Sequence, residues 1–332
     1  MKILQVGMFQ VGRLNRDWAA GRGPSHPVHA VCELTRYGHE LAVYDSGATP
    51  ARGRLAFQRA LLRDRPRCDV LLAQNLLEIN LVAMLRAAGL FRTPIVAFVH
   101  SVGWRSVQKI SAHGVDALLT LSADAAAKLQ AAGVARSRIV PFDYGADLDF
   151  CAPAGAIGRT VLSIGVSGRD FATLCAAARR IDAEVVIVGK VPAQLRADPG
   201  ARVRILSDGN YELGFEQIRE LYRDSRVVAV IHHGTPHPYG LNALVEAMAM
   251  ARPVVLTAGA GIDIDPQALG FGLRVPAHDP PALAQALARY LDDESLARRS
   301  GAAARLCAEA RYSSKIMAQR LDEVVRRVGR AA

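Results

Sequence analysis

The segment HPYGLNALVEAMAMARPVV, residues 237–255, decides how the rest of the chain is read. It opens on a Pro238-Tyr239-Gly240 turn and continues through a helix-forming run. Arg252-Pro253 stops that helix, and Val254, Val255 and Leu256 follow as an apolar strand. A glycine-bearing turn feeding a helix leaves several backbone N–H groups unpaired at the helix tip. Together with the helix dipole, those groups attract phosphate. Glu246 lies about one and a half turns into the helix, a single acid in an otherwise mostly apolar run. A ligand held at the tip therefore comes within reach of a carboxylate.

On both sides of this segment the pattern is strand, helix, strand. Residues 1–6, 41–44, 70–73, 95–99 and 117–121 read as short apolar strands, and residues 28–37, 56–63, 80–88, 106–113 and 122–132 as the helices between them. Such alternation builds parallel sheets. A second block restarts at residues 160–165, a strand running into the turn 166–170. Helices at 171–180 and 215–224 and strands at 184–189, 203–206 and 227–231 continue it. Residues 280–291, 294–310 and 313–328 are Ala-rich amphipathic helices, the last expected to pack back on the first block. The small-residue, Pro/Gly stretch at 151–156 reads as a linker, which places a boundary near residue 155. The fold class expected is α/β: two Rossmann-like domains, residues 1–155 and 156–332, facing each other across a cleft.

In parallel sheets ligands bind at the C-terminal ends of the strands. His100 stands at such an end, after the strand 95–99; a histidine merely hydrogen-bonded in a loop is the alternative. The polar stretch 7–27 reads as a long loop above the same edge and carries Trp18, Arg22, Gly23 and His26. It has no G-x-G-x-x-G spacing, so the dinucleotide fingerprint is absent.

Composition narrows the class. A chain of 332 residues, half of them hydrophobic, suits two domains with sizeable cores. No apolar run approaches the ~18–20 residues of a membrane span. The five cysteines are scattered without C-x-x-C spacing, which argues against a zinc site or a disulfide framework and fits a reducing cytoplasm. A soluble, cytoplasmic protein without a bound metal is expected. The formal charge of +10 suits anionic small ligands, an anionic membrane surface or nucleic acid, or simply reflects solvated Arg-rich helix faces. The arginines are dispersed and lack aromatic interleaving, so nucleic acid is not an expected partner.

Taken in order, Gly23, residues 34–41, His100, and residues 116–122 and 140–150 resemble the N-terminal domain of GT-B glycosyltransferases of the large retaining GT4 group. Residues 160–165, 221–223, 240–253 and 311–313 resemble its C-terminal domain. The LVEAMA…RPVV core is the specific part, and the shared order strengthens it. The resemblance implies a nucleotide sugar on the C-terminal domain, its diphosphate at Tyr239, Gly240, Leu241, Asn242 and Ala243 and at the Gly165, Ser167, Gly168 turn. Glu246 would bind the ribose hydroxyls, since a carboxylate accepts two hydrogen bonds from a vicinal diol. Arg169 would be the phosphate cation, with Lys190 a second candidate. His100 would contact the donor sugar or orient the acceptor, and Trp18, Arg22 and Gly23 would belong to the acceptor or phosphate loop.

Two departures stand out. The family's first acid, eight residues before Glu246, is replaced by Pro238, with His237 beside it. Arg169 also stands alone where the family has an Arg and a Lys. The reaction implied is metal-independent retaining transfer from a nucleotide-diphosphate sugar to a glycan, lipid-linked or small-molecule acceptor, with no cofactor beyond that co-substrate and possible contact with an anionic membrane. A non-catalytic nucleotide-sugar binder or a sugar-nucleotide epimerase are the alternatives.

Overall fold

A computed structural model describes residues 1–45, 53–103, 107–153, 157–207, 213–259 and 261–330. Ser106 of an expected helix and residues 154–156 of the expected linker lie outside them. The chain forms two compact units, residues 1–144 with 314–332, and residues 145–313. The division falls earlier than residue 155 because the chain is already engaged at Gly145-Ala146. The Ala146 N–H donates to Tyr312 O at 2.9 Å, and a Cβ on Gly145 would run into the Tyr312 backbone.

The first unit contains β1 Lys2–Gly7, α1 Val11–Ala19, β2 Glu40–Asp45, α2 Gly53–Asp64, β3 Val70–Ala73, α3 Asn80–Ala87, β4 Ile95–Val99, α4 Gln108–Ser111, β5 Ala117–Thr120, α5 Ala123–Ala131 and β6 Ile139–Pro141. The second contains β7 Thr160–Ile164, α6 Phe171–Ala178, β8 Val185–Val188, α7 Ala193–Ala197, β9 Val203–Ser207, α8 Phe215–Arg223, β10 Ser225–Val230, α9 Leu241–Ala249, β11 Val254–Thr257, β12 Gly272–Val275, α10 Pro280–Asp292 and α11 Glu294–Ala310. Helix α12, Ser314–Arg330, returns to the first unit.

Each unit holds one six-stranded parallel sheet, ordered β2-β1-β3-β4-β5-β6 and β12-β11-β10-β7-β8-β9. Strands β3, β4, β5, β8, β10 and β11 are buried along their whole length, as expected of strands covered on both faces. In the second sheet the chain winds outward from β7 through β8 to β9, then returns to the other side with β10. The carboxyl ends of β7 and β10 therefore flank the switch point where such sheets take ligands. In the first sheet the corresponding pair is β1 and β3. Among the described residues no helix is long and apolar enough to cross a membrane.

Two local expectations are corrected, and one strand is not anticipated. The stretch 7–27 is not a continuous loop, because Val11–Ala19 is helical. Val11, Leu14 and Trp18 fall at i, i+3 and i+7 and pack against Val28 and Cys32. The helix expected at 28–37 is instead two 3-10 turns, His26–Val28 and Val31–Tyr37. They are separated by His29 and Ala30, both in the left-handed region (φ 54 and 55), which interrupts helical hydrogen bonding. The short strand β12, beginning on Gly272 and carrying Arg274, lacks the continuous apolar run by which the other four-residue strands are read.

Helix α12 places Met317, Leu321, Val324, Val325 and Val328 inward. Polar anchors join it to the first unit. His39 Nε2 meets Asp322 at 2.6 Å, the Arg326 guanidinium donates to Tyr37 O at 2.8 Å, and Arg320 pairs with Asp143 at 2.9 Å.

Candidate functional site

The second unit gathers the sequence-predicted donor residues at the ends of β7 and β10 and the start of α9. Gly165 ends β7 at φ 148, and any Cβ there would collide with the Arg169 guanidinium. Gly168, at φ 65, likewise leaves room for the Tyr239 ring. These two glycines let Arg169 and Tyr239 lie directly on the backbone of the turn.

Arg169 is half-buried, with its guanidinium turned inward. Its Nε and Nη2 donate to Ile164 O at 3.1 and 2.6 Å, which fixes the plane of the guanidinium. Its Nη1 is buried and has no partner among the described residues. That nitrogen lies against Gly240, at the site a Cβ would occupy. Burial lowers the guanidinium pKa to about 10, opposed by Tyr222 and Glu246, so the group remains cationic at neutral pH. A cation with a buried, unused donor at a helix tip is arranged to meet an anion.

The helix behind that tip is α9. Gly240 at its N-cap adopts φ 104 and offers no side-chain cap to the first turn. Its glycine lets the backbone approach both Val230 and the Arg169 guanidinium. Glu246, half-buried about one and a half turns further in, accepts a hydrogen bond from the Tyr222 hydroxyl at 2.7 Å. Tyr222 is itself buried. Burial first and the Glu246 charge second hold its phenol far above the ordinary range, so it stays a donor.

Arg252, which sequence reading treats only as part of a helix stop, explains why Tyr222 sits where it does. Its Nε and Nη2 donate to Tyr222 O and Arg223 O, both at 2.8 Å, satisfying the last carbonyls of α8. Tyr222 and Arg252 thus set the position of Glu246. The Tyr222 position lay within the resemblance at 221–223, but nothing in the sequence pairs it with Glu246.

The remaining donor-side residues fall as follows. His237 packs edge-to-face on Tyr239 with ring centroids 5.0 Å apart, and the Tyr239 N–H donates to His237 O at 2.8 Å. Pro238 accepts from the Leu241 N–H at 3.2 Å. Ser167 and Asn242 are exposed beside them, Leu241 and Ala243 are buried, and Lys190 is exposed just beyond Gly189. Gly189 lets β8 approach the Gly165 carbonyl, where a Cβ would collide.

In the first unit, His100 follows β4 and belongs to a buried polar chain. The Asn75 side-chain oxygen accepts from Leu77 N–H, so its amide nitrogen faces His100 Nδ1 at 3.4 Å. His100 Nε2 lies 3.1 Å from His29 Nε2, and His29 Nδ1 meets Gln74 Oε1. The Gln74 amide nitrogen then donates to Val28 O at 3.2 Å. One proton arrangement satisfies every link: Asn75 donates to His100, His100 Nε2–H to His29, and His29 Nδ1–H to Gln74. It requires both imidazoles to be neutral. Burial agrees, lowering His29 to about 3, with His100 adding to the effect, and His100 to about 4. His29 also stacks on Phe98 at 4.1 Å. Sequence reading missed His29, Gln74 and Asn75, because the left-handed backbone at His29 that turns its ring inward has no linear signature.

Of the loop candidates, His26 comes near this polar chain, its ring meeting Tyr144, which also meets His29. Trp18 packs on Val11, Val28 and Cys32, with the Arg36 guanidinium 5.0 Å above its ring. Arg22 is exposed and paired with Asp17 at 3.0 Å. Gly23 and His26 are buried, and the His26 carbonyl accepts from Tyr144 OH at 2.8 Å.

Residues 159–293 match the family model described as glycosyl transferases group 1. Among solved structures, sucrose-phosphate synthase from Thermosynechococcus elongatus superposes with a TM-score of 0.74 at 19% identity, over all of both chains. HepE of Anabaena in complex with UDP and glucose gives 0.70 at 16% identity, covering 98% of this chain and 99% of that one. WaaG, a glycosyltransferase of lipopolysaccharide biosynthesis, gives 0.64 at 16% identity, covering 97% and 99%. No curated protein matches the chain. The fold is thus the GT-B architecture of two Rossmann-like α/β domains, and the class is glycosyltransferase. Within that class, the group 1 domain is the one carried by the second unit.

Proposed function

We propose that the chain is a retaining glycosyltransferase that moves a sugar from a nucleotide-diphosphate donor to a hydroxyl of a glycan, lipid-linked or small-molecule acceptor. The observation that carries this is the pairing of a buried, unused cationic donor, Arg169 Nη1, and an uncapped helix tip, with Glu246 held about one and a half turns away. That spacing suits a diphosphate at the tip and a ribose on the carboxylate. As the bond between the sugar and the phosphate oxygen breaks, negative charge grows on the diphosphate, and Arg169 with the α9 amides stabilises it. The acceptor hydroxyl attacks the same face and passes its proton to the departing phosphate oxygen. No metal is assigned to this step.

Neighbours crystallised with UDP and with UDP-glucose make a uridine donor the first to try. The first unit, with His100, would read the acceptor. The positive net charge suits an acceptor presented at an anionic membrane on the cytoplasmic side. Pro238 in place of a sugar-reading acid favours one second reading, a binder that takes the nucleotide sugar without turning it over.

The test is thermal stabilisation by UDP, GDP, dTDP and ADP sugars, followed by transfer assays with the donor that binds. Arg169→Ala and Glu246→Ala should each abolish transfer. Binding without turnover on any acceptor supports the binder, and a nucleotide sugar that isomerises without acceptor supports an epimerase. If no nucleotide sugar stabilises the chain, the donor assignment fails.

A further inference from the structure

Three side chains bordering the donor turn converge on one point. Asp170 caps α6, its carboxylate accepting from Thr173 N–H at 3.0 Å and Thr173 Oγ1 at 2.7 Å, and it is 2% exposed. His278, between β12 and α10, brings Nδ1 to 2.7 Å from Asp170 Oδ2. His233, after β10, directs its Nδ1 at the same oxygen from 3.8 Å. The two imidazoles stack, with centroids 5.4 Å apart and planes at 29°. The three ligand atoms all lie within 4.8 Å of one another.

We propose that Asp170, His233 and His278 bind a divalent cation of the zinc class. A His–Asp hydrogen bond accounts for His278 alone. It does not account for a second imidazole stacked on the first, with its nitrogen aimed at the same oxygen from beyond hydrogen-bonding distance. Around a tetrahedral ion with ligands at ~2.0–2.1 Å, neighbouring ligand atoms stand about 3.3 Å apart. The separations of 2.7 and 3.8 Å from Asp170 bracket that value, and all three ligand atoms lie within 4.8 Å of one another, so movement of the two exposed imidazoles closes the site. Two imidazoles and one carboxylate select zinc, cobalt or nickel over magnesium and calcium. Exposure of both histidines leaves the remaining position to water. Thr173 holds both carboxylate oxygens, its N–H on Oδ1 and its hydroxyl on Oδ2, as outer groups orient metal ligands. The ligands follow β7, β10 and β12, so the ion would clamp three strand ends and fix the N-terminus of α6. The ligands sit on three separate loops, and for that reason linear spacing does not disclose them.

The experiment titrates the untagged, chelator-treated full chain with Co2+ and Zn2+, following Co2+ visible absorption, calorimetry and the melting midpoint. One ion per chain, displacement of Co2+ by Zn2+ and a raised midpoint are expected. His233→Ala and His278→Ala should each weaken Co2+ binding at least tenfold while leaving the metal-free melting midpoint near that of wild type. His278→Asn and Asp170→Asn serve as the milder variants should either alanine variant fail to fold. The proposal is overturned by the absence of stoichiometric binding, by undiminished binding in these variants, or by Mg2+ competing on equal terms with Co2+.

Discussion

Removing one oxygen from Tyr222 probes the donor site through the residue that holds it. Tyr222→Phe keeps the ring and deletes the hydroxyl that donates to Glu246 Oε2 at 2.7 Å. A hydrogen bond to a charged group contributes ~1.5–3 kcal/mol. Glu246 is half-buried, so the lower part of that range applies, about 1–2 kcal/mol after solvent screening. For a unit of this size, roughly 2–4 °C per kcal/mol turns that into a fall of about 2–8 °C in the melting midpoint. If Glu246 binds the ribose hydroxyls, freeing its side chain should also weaken donor affinity about five- to thirtyfold, the same 1–2 kcal/mol. The double variant with Glu246→Gln supplies the control. A neutral amide accepts more weakly, so the two losses should be less than additive, with a coupling of ~1 kcal/mol. Calorimetric melting and donor titration on the four proteins read both quantities. Strict additivity, or a Tyr222→Phe protein that matches wild type in both, would refute the idea that the phenol positions the carboxylate.

Other outcomes follow from the same geometry. Gly240→Ala forces a side chain into a left-handed position, costing ~1–2 kcal/mol, and drives its methyl toward Arg169 Nη1; donor titration should show binding lost before the fold is. Arg252→Ala leaves the Tyr222 and Arg223 carbonyls without donors and should lower stability by ~2–4 kcal/mol, measured by urea unfolding. His29 and His100 have folded pKa values of about 3 and about 4 against an ordinary 6.5, so the unfolded chain binds protons first. Stability from this pair is therefore complete above about pH 6.5 and is lost as pH falls toward 3. His29→Gln with His100→Asn should flatten the stability profile between pH 7 and 4 recorded by chemical denaturation.

The strand–helix alternation and the 237–255 segment were legible because parallel α/β structure writes itself as short apolar runs between amphipathic ones. Gly165, Gly168 and Gly240 were legible as turn glycines, and Arg169 and Glu246 as the charges beside them. What could not be read were the contacts that aim these charges. Tyr222 reaches Glu246 from another helix, Arg252 braces Tyr222 through main-chain carbonyls, and the His29 ring turns inward on a left-handed backbone. Trp18 shows the same limit: its polar stretch looks like a continuous loop, whereas i, i+3, i+7 spacing commits it to a helix face. Side-chain partners brought together from distant segments leave no mark in local sequence, and this site depends on several.

The return of α12 to the first unit has a consequence for how the chain is made. The last helix supplies apolar cover to a sheet that begins at Lys2, with Gly329 lying against Met1 and Val70. Residues 145–313 must leave the ribosome before that cover arrives, which at ~5–20 residues per second means on the order of 10–30 s. By the end of that interval the second unit has all its own segments, while the first still waits for its last helix with a hydrophobic groove open to water. The older half of the chain is thus the later to mature, and for that time it is the half most in need of a chaperone.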